Sequence, residues 1–249
     1  MLDLHYLWAF VLIVLFSAFA QGFTGLGFGI MVMAGVAFTP WDLERASVLT
    51  NILLVVLNST IIFAGRRDFR IDWKLVGLII SGEIFGVPLG YWFIYAFGNQ
   101  PVFRLALGIV LVIFAADRIF RPRLAKPLPA ILGLTAGIVA GFLAGAFTAA
   151  GPPLALFIYS RHHTPAKAKG TLQVVFMTAT LWRLITIIIF GKGVSVHLLE
   201  ISAMIVPGVI FFAVLGHFLT RRVSSAVFEK VVFTFIGFAG VLNILGFFR

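Results

Sequence analysis

Two ionisable residues lie near the middle of apolar stretches of this 249-residue chain, Glu83 within residues 75–97 and Arg183 within residues 171–190. A charge at that depth in a membrane costs at least about 2.5–3.5 kcal/mol, so each is expected to have a partner or a task. Because a guanidinium can hold an oxyanion through two parallel hydrogen bonds, Arg183 is a candidate anion ligand. The alternative is a structural ion pair between the two residues. Glu83 is then either the anion of that pair, which is favoured, or a proton carrier.

Neutral polar side chains cluster in the same kind of surroundings. Asn51 and Asn58 lie in the apolar stretch 47–64, and Gln173 shares the stretch 171–190 with Arg183. A single Ser or Thr there is expected to bond to the backbone of its own helix. The grouping as a whole predicts a polar pathway between two membrane helices.

Glycine-rich sequence interrupts two 33-residue apolar stretches, at residues 22–29 (GFTGLGFG) and at residues 141–153 (GFLAGAFTAAGPP). Backbone without helical hydrogen bonds is tolerated deep in a bilayer only where protein or a water-filled cavity satisfies it. A duplicated unit with a broken hydrophobic segment is typical of secondary transporters. Thirty-three residues as one helix would measure about 50 Å, so each stretch is predicted to be a pair of helices of about sixteen residues, whose tip lies deep in the membrane.

The second helix of each pair is expected to begin near the tip, after Gly29 in one and at Pro152 in the other. Its first N–H groups then face the protein interior and can bind an oxyanion. The alternative is that these glycines only allow close helix packing. The candidate substrate-binding residues are Arg183, Gln21, Thr24, Gly25, Asn51, Asn58, Thr148, Gly151, Pro152 and Gln173, with Glu83 as the proton-coupling candidate.

Composition places the chain in the membrane. Hydrophobic residues make up 61% of the sequence and charged residues 11%, and the mean hydropathy is +1.10. The net charge of +10 is therefore attributed to loops that face anionic lipid rather than to nucleic-acid binding. With no cysteine, and with no histidine at metal-ligand spacing, neither a cofactor nor a metal site is predicted.

The distribution of Lys and Arg predicts the topology. Basic residues concentrate in four connections, at residues 66–74, 118–126, 161–169 and 221–230, which the positive-inside rule places in the cytoplasm. Each half then crosses the membrane an odd number of times, so the halves are inverted relative to each other. The predicted fold is an all-α polytopic membrane protein with two inverted repeats, residues 1–120 and 127–249, in one membrane domain. Each repeat has a broken helix pair and three transmembrane helices, giving 8 to 10 membrane segments.

Three sequence segments resemble one family. The segment GFTGLGFG, the segment AGPPLALFIYSR at residues 150–161 and the segment KGTLQVVF at residues 169–176 are similar to those of the TauE/SafE family of sulfite and organosulfonate exporters. The resemblance covers essentially the whole chain. It implies transport of a small sulfur-containing oxyanion such as sulfite or a sulfonate, whereas the residues alone indicate only an anion.

The sequence thus predicts a secondary transporter that works by alternating access at a midplane site between the breaks, and not an enzyme. An anion channel and an intramembrane enzyme acting on a lipid-linked substrate remain the alternatives. The expected location is the bacterial inner membrane with both termini periplasmic. The expected partners are a small anionic substrate, the lipid bilayer and a possible second copy of the chain.

Overall fold

The computed structural model describes residues 4–36, 43–98, 100–120, 128–161, 164–191, 194–219, 234 and 236–245. Within these ranges the regular secondary structure is entirely helical, as the sequence predicts. The helices are α1 (Leu4–Thr24), α2 (Phe28–Val36), α3 (Leu43–Gly65), α4 (Trp73–Phe97), α5 (Pro101–Phe120), α6 (Leu132–Phe147), α7 (Gly151–Arg161), α8 (Pro165–Phe190), α9 (Val196–Leu219) and α10 (Ile236–Leu245).

Four of these helices are long and apolar enough to cross a membrane: α3, α4, α8 and α9. A span of about 20 apolar residues matches the thickness of the hydrocarbon core, and these four helices have 23 to 26 residues. Their outward faces carry large apolar side chains, among them Phe85 at 66% exposed and Trp92 at 60%. The chain is therefore a multi-pass membrane protein, in which lipid covers these exposed faces.

The two broken stretches are helix pairs, but their halves are unequal. In the first pair α1 has 21 residues and α2 has 9, and in the second α6 has 16 and α7 has 11. At 1.5 Å per residue α1 extends about 31 Å and α2 only about 14 Å. The prediction of two helices of about sixteen residues was wrong in this respect. The breaks lie at residues 25–27 and 148–150, where Gly25, Gly27 and Thr148 have positive φ angles, and not at the midpoints of the two apolar stretches.

Close backbone packing joins α4 to α6 along most of the length of α6. A Cβ atom added at Gly82, Gly86 or Gly90 of α4 would lie 2.0–2.3 Å from a carbonyl oxygen of α6. Two glycines of α6 approach α4 equally closely, since a Cβ atom would lie 2.1 Å from the Ile79 oxygen at Gly137 and 2.2 Å from the Val87 oxygen at Gly145. Small residues at every fourth position allow two helix backbones to touch, which is a common way to pack helices in a membrane.

A similar contact joins α1 to α9. A Cβ atom at Gly22 would lie 2.2 Å from the Ala213 oxygen, and one at Gly216 would lie 2.3 Å from the Phe19 oxygen. Helices α3 and α8 pack on each other and also on α9 and α4, respectively. The two broken pairs are thus each fixed to a long helix of the other half of the chain, with α3 and α8 between them.

Candidate functional site

The first break is shaped by two glycines and two side chains. Gly25 and Gly27 have φ angles of +86° and +111°, which residues with a Cβ atom rarely adopt. The Leu26 N–H donates to the Thr24 hydroxyl oxygen, and Gln173 Nε2 of α8 donates to the Gly25 carbonyl oxygen at 2.9 Å. Thr24, Gly25 and Gln173 therefore hold the turn in place, and they lie outside the lining of the cavity described below.

The second break turns at Thr148, whose φ and ψ of 54° and 31° are left-handed. The Ala149 N–H donates to the Leu143 oxygen at 3.1 Å and closes the end of α6. Helix α7 then begins at Gly151, and neither Pro152 nor Pro153 has an N–H group that needs a partner. The two breaks touch, because a Cβ atom at Gly29 would lie 2.0 Å from the Thr148 oxygen.

A cavity lies between the breaks and helices α3 and α8. It has about 560 Å³ of space between its lining atoms, part of it open to the surface. Six of the predicted site residues line it: Gln21, Asn51, Asn58, Thr148, Gly151 and Arg183. The other described lining residues are Leu26, Gly27, Gly29, Ile30, Leu54, Ala144, Ala149, Ala150, Phe176, Ala179 and Thr180. Among these described lining residues none is acidic, and Arg183 is the one with a charge.

The cavity lining includes residues at the starts of α2 and α7. Gly27, Gly29 and Ile30 line it from the first break, and Ala150 and Gly151 line it from the second. The amides of these five residues have no hydrogen-bond acceptor within the described part of the chain. Each helix start also carries a partial positive charge, so both helix starts favour an anion in the cavity.

The two helix starts differ in one respect. Gln21 Oε1 accepts a hydrogen bond from the Phe28 N–H at 2.9 Å and so caps α2. The offset of 119 residues that relates the two breaks places Ala140 at the equivalent position, and alanine has no polar atom with which to cap α7. At the start of α2 one N–H group is thus already bonded to a side chain. At the start of α7 two of the first three residues are prolines without an N–H group, and the remaining N–H groups can bind a ligand.

A chain of side-chain hydrogen bonds runs from this cap to α8. Gln21 Nε2 donates to Asn58 Oδ1 at 3.0 Å, and Asn58 Nδ2 donates to the Thr180 hydroxyl oxygen at 3.2 Å. The Thr180 hydroxyl in turn donates to the Phe176 carbonyl oxygen at 2.6 Å. Asn51 Nδ2 also reaches α8, at 3.2 Å from the Thr180 carbonyl oxygen. All of these polar side chains are buried, and the network fixes their orientation at the cavity wall.

Arg183 is 1% exposed and is held by helices from both halves of the chain. Its terminal nitrogens donate to the Ser47 carbonyl and hydroxyl oxygens, each at 3.0 Å. Its Nε donates at 3.0 Å to the Gly145 oxygen in the last turn of α6. That oxygen lacks its helical donor because the Ala149 N–H bonds to Leu143 instead. Three of the five guanidinium N–H groups donate to described residues, and the other two can donate to a ligand.

Glu83 does not form an ion pair with Arg183, so the favoured interpretation of Glu83 as the anion of that pair was wrong. Its Oε2 atom lies 3.2 Å from the Thr178 hydroxyl, and its Oε1 atom has no hydrogen-bond partner in the described structure. Glu83 also lies outside the cavity lining. The interpretation of Arg183 as half of an ion pair is therefore wrong. The other interpretation, a candidate anion ligand, is consistent with a guanidinium that is fixed at the cavity wall.

Two polar residues were not among the predicted site residues: Thr180, which lines the cavity, and Ser47, which accepts hydrogen bonds from Arg183. Ser47 precedes Asn51 by four positions and Asn58 by eleven, spacings that place all three on one face of α3. That spacing was the available signal. The remaining hydroxyls of the same helix, at Thr50, Ser59 and Thr60, donate to carbonyl oxygens four residues earlier, as predicted.

Comparison with known proteins agrees with the resemblance of the motifs. The family of sulfite exporters TauE/SafE matches residues 10–242 of the chain. A protein of Cupriavidus necator (strain ATCC 17699) described as a probable sulfite/organosulfonate exporter TauE is 26% identical over 227 residues. That similarity covers 87% of this chain and 85% of the relative. No solved structure matches the chain.

Proposed function

Since the chain belongs to the TauE/SafE family of sulfite exporters, we propose that it is a secondary transporter of a small sulfur-containing oxyanion, such as sulfite or an organosulfonate. The observation that carries this proposal is the cavity between the two breaks. Its described lining residues include one buried arginine and the first residues of two helices, and none of them is acidic. An oxyanion is the class of ligand that such donors bind best.

The substrate oxygens are proposed to accept hydrogen bonds from the free amides of the second break, near Gly151, and from the two unused N–H groups of Arg183. Asn51, Asn58 and Gln21 form the polar wall around the anion, while Thr148 sets the turn. Thr24, Gly25 and Gln173 do not contact the anion in this proposal and support the site indirectly, because they fix the backbone of the first break. Pro152 follows Gly151 in the first turn of α7 and adds no N–H group that would compete for acceptors.

The mechanism we propose is alternating access around this site, with the halves of the chain related by a two-fold axis in the membrane plane. The packing supports it. Exchanging the halves turns the contact of α4 with α6 into that of α9 with α1, and both contacts are close glycine packings. The repeats are residues 1–120 and 127–249, the membrane is the bacterial inner membrane, and both termini are periplasmic in this scheme.

The proposal is tested by counterflow in proteoliposomes of the purified protein. Vesicles are loaded with unlabelled sulfite, sulfoacetate or a control anion such as chloride, and entry of labelled sulfite is followed over time. Transient accumulation of label that saturates with concentration supports a carrier. A linear conductance without counterflow would indicate the channel alternative, and the absence of any protein-dependent flux would refute transport of these anions.

A further inference from the structure

Glu83 is a buried carboxyl group that the anion site does not use. It is 1% exposed and lies in α4 at the interface with α6 and α8. Its neighbours Gly82 and Gly86 touch the backbone of α6, and a Cβ atom at Gly141 of α6 would lie 3.0 Å from the Glu83 Cα atom. The side chain therefore sits where the helix bearing the second break and the helix bearing Arg183 both meet α4.

The hydrogen-bond geometry bears on whether this carboxyl carries a proton. The Thr178 hydroxyl oxygen lies 2.8 Å from the Val175 carbonyl oxygen and 3.2 Å from Glu83 Oε2. A hydroxyl has one hydrogen and can donate to only one of these oxygens at a time. Both contacts are hydrogen bonds at once only if Glu83 is protonated and donates to Thr178, while Thr178 donates to Val175.

The ionised form fits the same surroundings poorly. The hydroxyl of Thr178 would have to turn away from Val175, and it would be the single donor to a carboxylate, since Glu83 Oε1 has no partner in the described structure. A buried carboxylate normally needs several donors or a cation to offset its lost hydration. The two forms of Glu83 therefore require different arrangements of α8 against α4.

Charged groups on the neighbouring helices do not compensate Glu83 in this arrangement. Helix α6 contains no ionisable residue. On α8, Arg183 donates to Ser47 and Gly145, and Lys167 pairs with Asp72 at 3.1 Å. Lys169 of α8 lies against Gly25. The other charged residues with described side chains on the helices that contact α4 are Glu44 and Arg45 of α3 and Arg104 and Asp117 of α5.

We propose that Glu83 is a proton-binding site that couples proton movement to transport, an inference that rests on the proposed function. The proton is taken from water and returned to water as α8 and α6 shift against α4 in the transport cycle. Because the hydroxyl partner is on α8 with Arg183, a change at the anion site alters the surroundings of the carboxyl directly. By linkage, protonation of Glu83 then alters the affinity of the cavity for its anion.

The first test detects the proton itself and does not depend on transport. Infrared difference spectra of purified protein in lipid nanodiscs are recorded while the pH is raised. The carbonyl stretch of a buried, protonated carboxyl is expected in the wild type, is lost as the pH rises, and is absent in Glu83→Gln. The matched control is Glu200→Gln, at an exposed position of α9, which should keep the band. A wild type without this band, or a Glu83→Gln variant that retains it, overturns the proposal.

A second variant, Thr178→Val, tests the proposal if Glu83→Gln does not fold. It keeps the carboxyl but removes its partner, so the band should shift in frequency. An unshifted band would show that the titrating carboxyl is not Glu83 beside Thr178.

The second test uses the proteoliposomes of the counterflow assay. A pH gradient of either sign is imposed, and accumulation of labelled sulfite is measured together with the internal pH. The wild type should accumulate label with one sign of gradient, whereas Glu83→Gln should lose this response and keep anion exchange within about fivefold of the wild type. An undiminished response in Glu83→Gln refutes the coupling. If the wild type exchanges none of the anions, the proposed function fails, and the infrared result still decides whether Glu83 binds a proton.

Discussion

Replacing Arg183 by alanine removes the one charge among the described residues that line the cavity, and we expect anion binding to weaken sharply. Two charges about 4 Å apart attract each other by about 4 kcal/mol at the effective dielectric constant of a protein site, and dehydration of the anion offsets part of this. A net loss of about 2–4 kcal/mol corresponds to a dissociation constant raised roughly 30- to 1,000-fold.

The fold should survive this change. Arginine also satisfies the Gly145 oxygen at the end of α6, but that oxygen lies near a cavity from which water can take over the hydrogen bond. Arg183→Lys keeps the charge but cannot contact Ser47, Gly145 and the anion together, so it should restore binding only in part. Ser47→Ala removes one of three anchors and should weaken binding by less than about tenfold.

The assay is calorimetric titration of sulfite or sulfoacetate into purified protein at fixed ionic strength. Arg104→Ala is the matched control, because it removes the same side chain from an exposed position of α5. The reasoning is refuted if Arg183→Ala binds the anion within about threefold of the wild type, or if Arg104→Ala loses as much affinity as Arg183→Ala.

Three further outcomes are expected. Gly137→Ala places its Cβ 2.1 Å from the Ile79 oxygen where an ordinary contact needs 3.4 Å, a shift of about 1.3 Å that should cost about 1–3 kcal/mol and lower the melting temperature. Gly77→Ala is the control, because its new Cβ atom would have no atom within 4 Å, and this variant should have the melting temperature of the wild type. Equal melting temperatures of the two variants would contradict the packing argument. Gln21→Ala uncaps the Phe28 N–H and should cost about 1 kcal/mol, or roughly 2–4 °C, so an unchanged melting temperature would exclude a stabilising cap. Single cysteines at Asp68 and Ser195 should be labelled from opposite faces of the membrane, and labelling from the same face would refute the topology.

Much of the architecture follows from composition and periodicity. Apolar stretches of membrane length predict α3, α4, α8 and α9, because each must satisfy its backbone hydrogen bonds internally. The glycine and proline positions predict both breaks, and the first turn uses the left-handed conformations of Gly25 and Gly27. The second turn is made by Thr148, while Gly151 begins α7. The lengths of the paired helices could not be predicted, because they depend on the φ angles of Gly25, Gly27 and Thr148.

The sequence by itself determined that an arginine and several side-chain amides lie within apolar stretches of membrane length, and its motifs identified the family. Only the tertiary structure decided which of them meet. Arg183 and Asn58 reach the cavity, whereas Gln173 and Thr24 support the first break from outside it. Gly137, which looks like a neutral position outside the break, is packed against the backbone of α4. The physical reason is that a hydrogen bond or a close packing depends on atoms that are far apart in the chain, and their distance is fixed only when the helices have packed.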